Sequence, residues 1–158
     1  MKKPKEIAIL IPSIAGLVIA ILFTQCIGLV RVAGHSMDPT LENGQILATV
    51  RYNIEEKVTR GDIVAIKPVQ ATNMFLIKRI IATGGDVLSI KEDKVYVNGN
   101  MIDEPYIMEP MMGSLWIDEI IIPEGEIFVL GDNRNHSGDS REFGTFKVSD
   151  IYGVAFNR

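Results

Sequence analysis

The chain has 158 residues, room for one compact domain, with 16 Lys and Arg against 20 Asp and Glu and a formal charge of −4. Setting aside Lys2, Lys3, Lys5 and Glu6 leaves 13 basic and 19 acidic residues, formally −6, a balance that argues against nucleic acid as a partner. A single cysteine, Cys26, and two histidines, His35 and His136, leave no intramolecular disulfide and no histidine-spaced metal site, and no cofactor is implied.

The first element is an apolar run from Ile7 to Val30 that contains Pro12, Ser13, Thr24 and Gln25 but no charge. Its roughly 24 residues make a helix about 36 Å long at ~1.5 Å per residue, more than the ~30 Å of a bilayer's hydrocarbon core. The apolar region of a cleaved leader is only about 7–15 residues, so the run reads as a retained transmembrane helix over 7–30. Lys2, Lys3 and Lys5 hold residues 1–6 in the cytoplasm under the positive-inside rule, and residues 31–158 then form a domain on the extracytoplasmic face of the cell membrane.

Six residues beyond the run stands Ser36, in Gly34-His35-Ser36-Met37-Asp38-Pro39-Thr40-Leu41. A serine in a Gly/Pro-marked loop at a membrane surface suggests hydrolysis of something that membrane presents. Short β-branched or aliphatic strands are expected at Gln45–Val50, Asp62–Lys67, Phe75–Ala82, Val87–Ile90, Lys94–Val97, Glu126–Leu130 and Ile151–Phe156. Asn98-Gly99 marks a tight turn, and strands at this spacing imply a mainly β barrel or sandwich. Asp103 to Gly125 is the least regular stretch, with three prolines. Its Met108, Met111, Met112 and Trp116 read either as a patch dipping into lipid or as ordinary packing against the barrel.

A serine hydroxyl is a poor nucleophile without a neighbour to take its proton. Ser36, Ser89, Ser114, Ser137, Ser140 and Ser149 are all candidates by residue type. His35 adjoins Ser36, but adjacent side chains in extended chain point apart, so it reads as solvent-facing or packed. Lys78 is the better base: in Phe75-Leu76-Ile77-Lys78-Arg79-Ile80-Ile81, read as a strand, it shares a face with Leu76 and Ile80. Desolvation there lowers a lysine pKa towards the useful range, although an edge-strand lysine snorkelling to solvent fits the same pattern. The last cluster, Gly131 to Arg141, is an elaborate polar turn whose two aspartates and two arginines can also form an ion-pair scaffold.

These segments, in order, resemble the bacterial type I signal peptidases, specifically the small single-span Gram-positive form. The matching motifs are the span, Gly34 to Leu41, Arg60-Gly61-Asp62-Ile63-Val64, Lys78-Arg79-Ile80-Ile81 with Gly85-Asp86, and Gly131 to Arg141 followed by Gly144. The resemblance implies a membrane-bound serine endopeptidase that removes signal peptides from exported preproteins, cutting after small residues in an Ala-x-Ala pattern. It implies Ser36 as nucleophile, Lys78 as general base, and Ser137 as the group that orients the lysine amine. It implies supporting ion pairs from Arg79, Asp132, Asp139 and Arg141, and a catalytic domain of coiled, SH3-like sheets.

Signal peptides present small side chains, so shallow apolar pockets are expected, lined by Val32, Ala33, Met37, Leu41, Leu76 and Ile77. The expected partners are signal peptides emerging from the export machinery and membrane lipid, with no nucleic acid. The chain departs from the family pattern twice. Gly34 replaces a serine whose hydroxyl often joins the oxyanion hole, as in many Gram-positive members, leaving the hole to the Ser36 N–H and another backbone donor. Ala82-Thr83-Gly84-Gly85-Asp86 replaces the usual Gly-Leu-Pro-Gly-Asp turn. Two other peptidases stand beside this reading: a specialised one for a few surface or spore proteins, and a self-cleaving stress-repressor type, which the membrane span disfavours. An inactive membrane-anchored β scaffold is the alternative from another class.

Overall fold

The computed structural model describes residues 4–68, 74–113 and 116–156. Lys2, Lys3 and Ser114 lie outside them, as does the side chain of Lys5. Helix α1 covers Pro4–Cys26 and is followed by strands β1 (Ile27–Arg31) and β2 (Ile46–Val50), a short helix α2 (Ile54–Lys57), then β3 (Ile63–Ile66) and β4 (Leu76–Thr83). Next come β5 (Val87–Lys91), β6 (Lys94–Val97), β7 (Asn100–Met101), β8 (Ile117–Ile121) and β9 (Glu126–Leu130). The one-turn helix α3 (Ser140–Phe143), β10 (Phe146–Lys147) and β11 (Ile151–Ala155) complete the chain.

The mainly β expectation holds. Seven strands form one antiparallel sheet in the order β1-β2-β11-β3-β4-β9-β10, and four form a second in the order β7-β6-β5-β8. Register shifts at Ile80/Ala82, Ile151/Gly153 and Leu88/Ile90 add local twist, so both sheets curl. Asn98 and Gly99 both take positive φ, 53° and 76°, as the two-residue turn between β6 and β7 requires.

The N-terminal run departs from its expected form. The helix stops at Cys26, and Ile27–Arg31 pairs along its length with β2. Gly28 is the local reason: a Cβ there would lie 2.7 Å from Thr49 Oγ1 and 2.8 Å from the Tyr152 ring, so only glycine lets β1 lie this close. The Arg51 N–H donates to the Cys26 carbonyl at 2.8 Å and closes the helix end onto the sheet. Among the described residues, no helix is long and apolar enough to cross a membrane.

The irregular stretch also contains more order than its prolines suggest. Ile117–Ile121 is β8, the edge strand of the small sheet. Met111 is 3% exposed and belongs to the core between the two sheets, with Leu88, Phe128 and Leu130, whereas Met108, Met112 and Trp116 are exposed. A second core, of Val32, Met37, Leu41, Leu47, Ile63 and Ile77, lies under the Ser36 loop. The strands that carry the site are thus held from both sides.

Candidate active site

The loop after β1 is built to present Ser36. Gly34 adopts φ +91°, a conformation side chains rarely take, and its N–H donates to Asn43 Oδ1 at 3.0 Å. Met37 and Leu41 then drop into the core, one helical turn apart, with the Leu41 N–H on the Met37 carbonyl at 3.0 Å. From the other side Asn133 grips the loop: its N–H donates to the Ser36 carbonyl at 3.1 Å and its Nδ2 to the His35 carbonyl at 3.0 Å. The Ser36 N–H has no acceptor among the described residues.

Lys78 comes from the middle of β4, paired with Val64 of β3. The residue is 3% exposed, and its Nζ lies 2.7 Å from Ser36 Oγ and 3.1 Å from the Ile77 carbonyl. Burial lowers its pKa from 10.5 to about 8; the Asp139 charge pulls the other way, Arg141 adds to the lowering, and Asp132 opposes it. When the amine is neutral, the same contact reverses. The serine hydroxyl then donates to the nitrogen lone pair, which is the arrangement proton abstraction needs.

The next strand explains the nearest ion pair. Arg79 lies opposite Leu130 of β9, so the chain leaving β9 brings Asp132 within reach two residues later. Arg79 donates twice to it, Nε to Oδ1 at 2.9 Å and Nη2 to Oδ2 at 2.7 Å, while Thr40 Oγ1 donates to Oδ2 at 2.5 Å. Asp132 thereby ties β4 to the far end of the Ser36 loop. Asp139 is held by Arg141 through two bonds of 2.8 Å and by the Gly131 N–H at 3.0 Å. Burial alone would raise the Asp139 pKa; the Arg141 guanidinium, the Gly131 amide and nearby Ser137 outweigh it and hold it below the ordinary value.

Ser137 differs from its expected role. No hydrogen bond joins it to Lys78. Its Oγ is buried without a bond of regular geometry, set against Gly131 and near Asp139. The Lys78 amine is directed instead by Ser36 Oγ and the Ile77 carbonyl. His35 is exposed and paired with Asp38 at 2.9 Å, and His136 is exposed, so neither approaches Ser36 Oγ as a base.

Ser36 and Lys78 open into a groove of about 600 Å³. Val32, Ala33, Met37, Leu76 and Ile77 line it as expected from sequence, joined by Met74, Phe75 and Phe143. Leu41, expected in the wall, is instead 6% exposed beneath the loop, because its spacing from Met37 turns it into the core. Several contributors were beyond sequence reasoning. Asn133 and Thr40 stand inside noted motifs without a signal for their bonds, and Phe143 reaches the groove only because α3 folds back over it. Among the described residues no group of carboxylates, histidines and cysteine is arranged to hold a metal ion.

Residues 5–158 match the family described as signal peptidase, peptidase S26. The chain is 40% identical to signal peptidase I of Bacillus licheniformis over 70% of its own length and 63% of that protein's. It is 34% identical to signal peptidase I of Streptococcus pneumoniae over 80% of its length and 78% of that protein's. It thus spans just under two thirds of the first relative and more than three quarters of the second. Among solved structures, a signal peptidase I from Enterococcus faecalis superposes with a TM-score of 0.54 at 32% identity, covering 62% of this chain and 96% of that one.

Proposed function

The chain belongs to the signal peptidase family, peptidase S26, and on that footing we propose that it is a serine endopeptidase that removes signal peptides from preproteins, with Ser36 as nucleophile and Lys78 as general base. The observation that carries the residue roles is the 2.7 Å contact between Ser36 Oγ and a lysine whose burial lowers its pKa to about 8. Neutral Lys78 takes the hydroxyl proton as Ser36 Oγ attacks the scissile carbonyl. The resulting ammonium gives its proton to the departing amine, leaving an ester on Ser36. Water then attacks the ester carbonyl as it loses a proton to Lys78, and the ammonium returns that proton to Ser36 Oγ as the ester bond breaks and the acid leaves. The Ser36 N–H is the donor on hand for the developing oxyanion.

The groove supports the substrate reading. Apart from Ser36 and Lys78 its walls are aliphatic, thioether and aromatic side chains and Gly138, which suits small apolar residues of an extended Ala-x-Ala segment. The span of this reading is the apolar part of α1, residues 7–26, with residues 1–6 cytoplasmic and the sheets from β1 onward extracytoplasmic. Supporting this, α1 carries apolar side chains its own domain leaves uncovered: Ile9, Ile11, Ile14 and Leu17 are each more than half exposed. Confinement to the membrane plane raises the effective concentration of a leader held in the same bilayer, and the export machinery delivers such leaders there.

The direct test is cleavage of a peptide carrying an Ala-x-Ala site by the full chain in detergent. Cutting after the final alanine, abolished by Ser36→Ala, is the expected result; an inert parent on several such peptides refutes it. The pH dependence is a second test. Only neutral Lys78 accepts a proton, so kcat/KM rises with pH through a midpoint near 8 and levels off above it. A rising limb centred near 6 would point to a different base.

A further inference from the structure

A third ion pair stands behind the site, outside the two expected from sequence, and it comes from the excursion between β7 and β8. Glu104 accepts from both terminal nitrogens of Arg134, at 2.9 Å from Nη1 and 2.5 Å from Nη2, and from the Tyr106 hydroxyl at 3.0 Å. The Arg134 side chain is 1% exposed and that of Glu104 9%. The Tyr106 ring is in contact with two guanidiniums, with Arg79 Cζ 4.0 Å and Arg134 Cζ 5.9 Å from its centroid.

Both arginines reach the Ser36 loop from here. Arg79 holds Asp132, which holds Thr40 at the loop's far end. Arg134 Nε donates to the Gly131 carbonyl at 3.0 Å, and Gly131 lies directly against the Ser36 carbonyl.

We propose that Tyr106 and Glu104 are positioning residues for the peptidase reaction, a clamp that fixes Arg79 and Arg134 and through them the placement of Ser36 against Lys78. The inference rests on the peptidase reading above. Tyr106, Glu104 and Arg134 do not line the groove, so the clamp acts on the geometry of attack and leaves substrate contacts alone. Attack by an oxygen is steeply sensitive to placement: a displacement of about 1 Å costs on the order of 100-fold. Burial is the largest cause of the lowered Lys78 pKa, and neither Glu104, Tyr106 nor Arg134 is among the groups that shift it, so the proton-transfer midpoint is expected to stay near 8 when the clamp is weakened.

The experiment measures kcat, KM, the pH midpoint and Tm on an Ala-x-Ala peptide for the full chain and for Tyr106→Leu, Tyr106→Phe and Glu104→Asp. Tyr106→Leu is expected to lower kcat about 10-fold or more with KM within about 3-fold and the midpoint unmoved. Tyr106→Phe keeps the ring in contact with both guanidiniums and restores kcat to within about 3-fold of the parent. Glu104→Asp keeps the charge but shortens its reach, and it is expected to lose kcat as well, which gives a reading even where Tyr106→Leu melts below the assay temperature. Parental kcat in folded Tyr106→Leu or in Glu104→Asp, or a loss confined to KM, overturns the clamp. An inert parent overturns the peptidase reading instead, so the two failures are told apart.

Discussion

Replacing Lys78 with methionine is expected to lower kcat/KM by about 10²–10⁴-fold, the scale of a lost general base, while the protein melts at the parental temperature or above it. The activity loss follows from geometry, since no other described basic side chain lies within hydrogen-bond distance of Ser36 Oγ. The stability half follows from burial. A lysine brought from 10.5 to about 8 carries a penalty of roughly 3 kcal/mol for its charged form in the folded state.

The sign of that penalty fixes its pH window. Between about 8 and 10.5 the unfolded chain binds more protons than the folded one, so parental stability rises with pH across that range. Below about 8 the full penalty is present, and methionine, of similar length and uncharged, removes it at the cost of the bonds to Ser36 and Ile77. The stability advantage of the variant should therefore be largest near pH 7 and shrink above pH 10. Thermal melts of both proteins at the two pH values check this, and a variant that is active or markedly less stable at pH 7 contradicts it.

The second large effect is expected from Gly131→Ala, one of the smallest substitutions available. A Cβ at Gly131 would fall inside contact distance of Ser137 Oγ and of the Ser36 carbonyl oxygen. The hydroxyl can rotate away; the carbonyl belongs to the backbone that carries the nucleophile and is already fixed by the Asn133 N–H. The clash with Ser137 Cβ, 2.6 Å away, is not relieved by that rotation either, so relief must shift the Ser36 backbone and the Ser137 turn against each other. A kcat/KM loss of about 100-fold is expected, with a destabilisation of about 1–3 kcal/mol from overpacking. Steady-state kinetics together with a denaturant melt check it, and unchanged kinetics would mean that the loop has slack the contacts do not suggest.

How much of this was legible in the sequence depended on whether the signal was local. Strands such as β3, β4 and β9 announce themselves by β-branched runs between turn residues. Lys78 stood out because a charge interrupts one of those runs. Strand β1 was hidden inside a longer apolar run, and its identity depends on Gly28 meeting Thr49 and Tyr152, residues far along the chain. Strand β8 was obscured by the proline-rich chain before it.

At the site, Arg79 and Asp132 were expected to take part in ion pairs, but their link to Thr40 is a meeting of three segments that no spacing records. Arg134 was read as part of an ion-pair scaffold in its own turn, but its partners Glu104 and Tyr106 were invisible for the same reason: they come from a different loop. Leu41 illustrates the converse error. It adjoins the motif in sequence, yet one helical turn after Met37 carries it out of the groove and into the core.

The two members of the proposed dyad stand on very different ground. Lys78 belongs to β4, bonded to β3 on one side and β9 on the other, whereas Ser36 sits on a loop fastened by side chains and a few isolated amides. Openings of a protein are graded, and segments held by few contacts open at far lower free energy than central strands. On that difference, heat or denaturant is expected to part the hydroxyl from the amine before it opens the sheet, and on return to mild conditions activity is expected to recover without refolding of the strands.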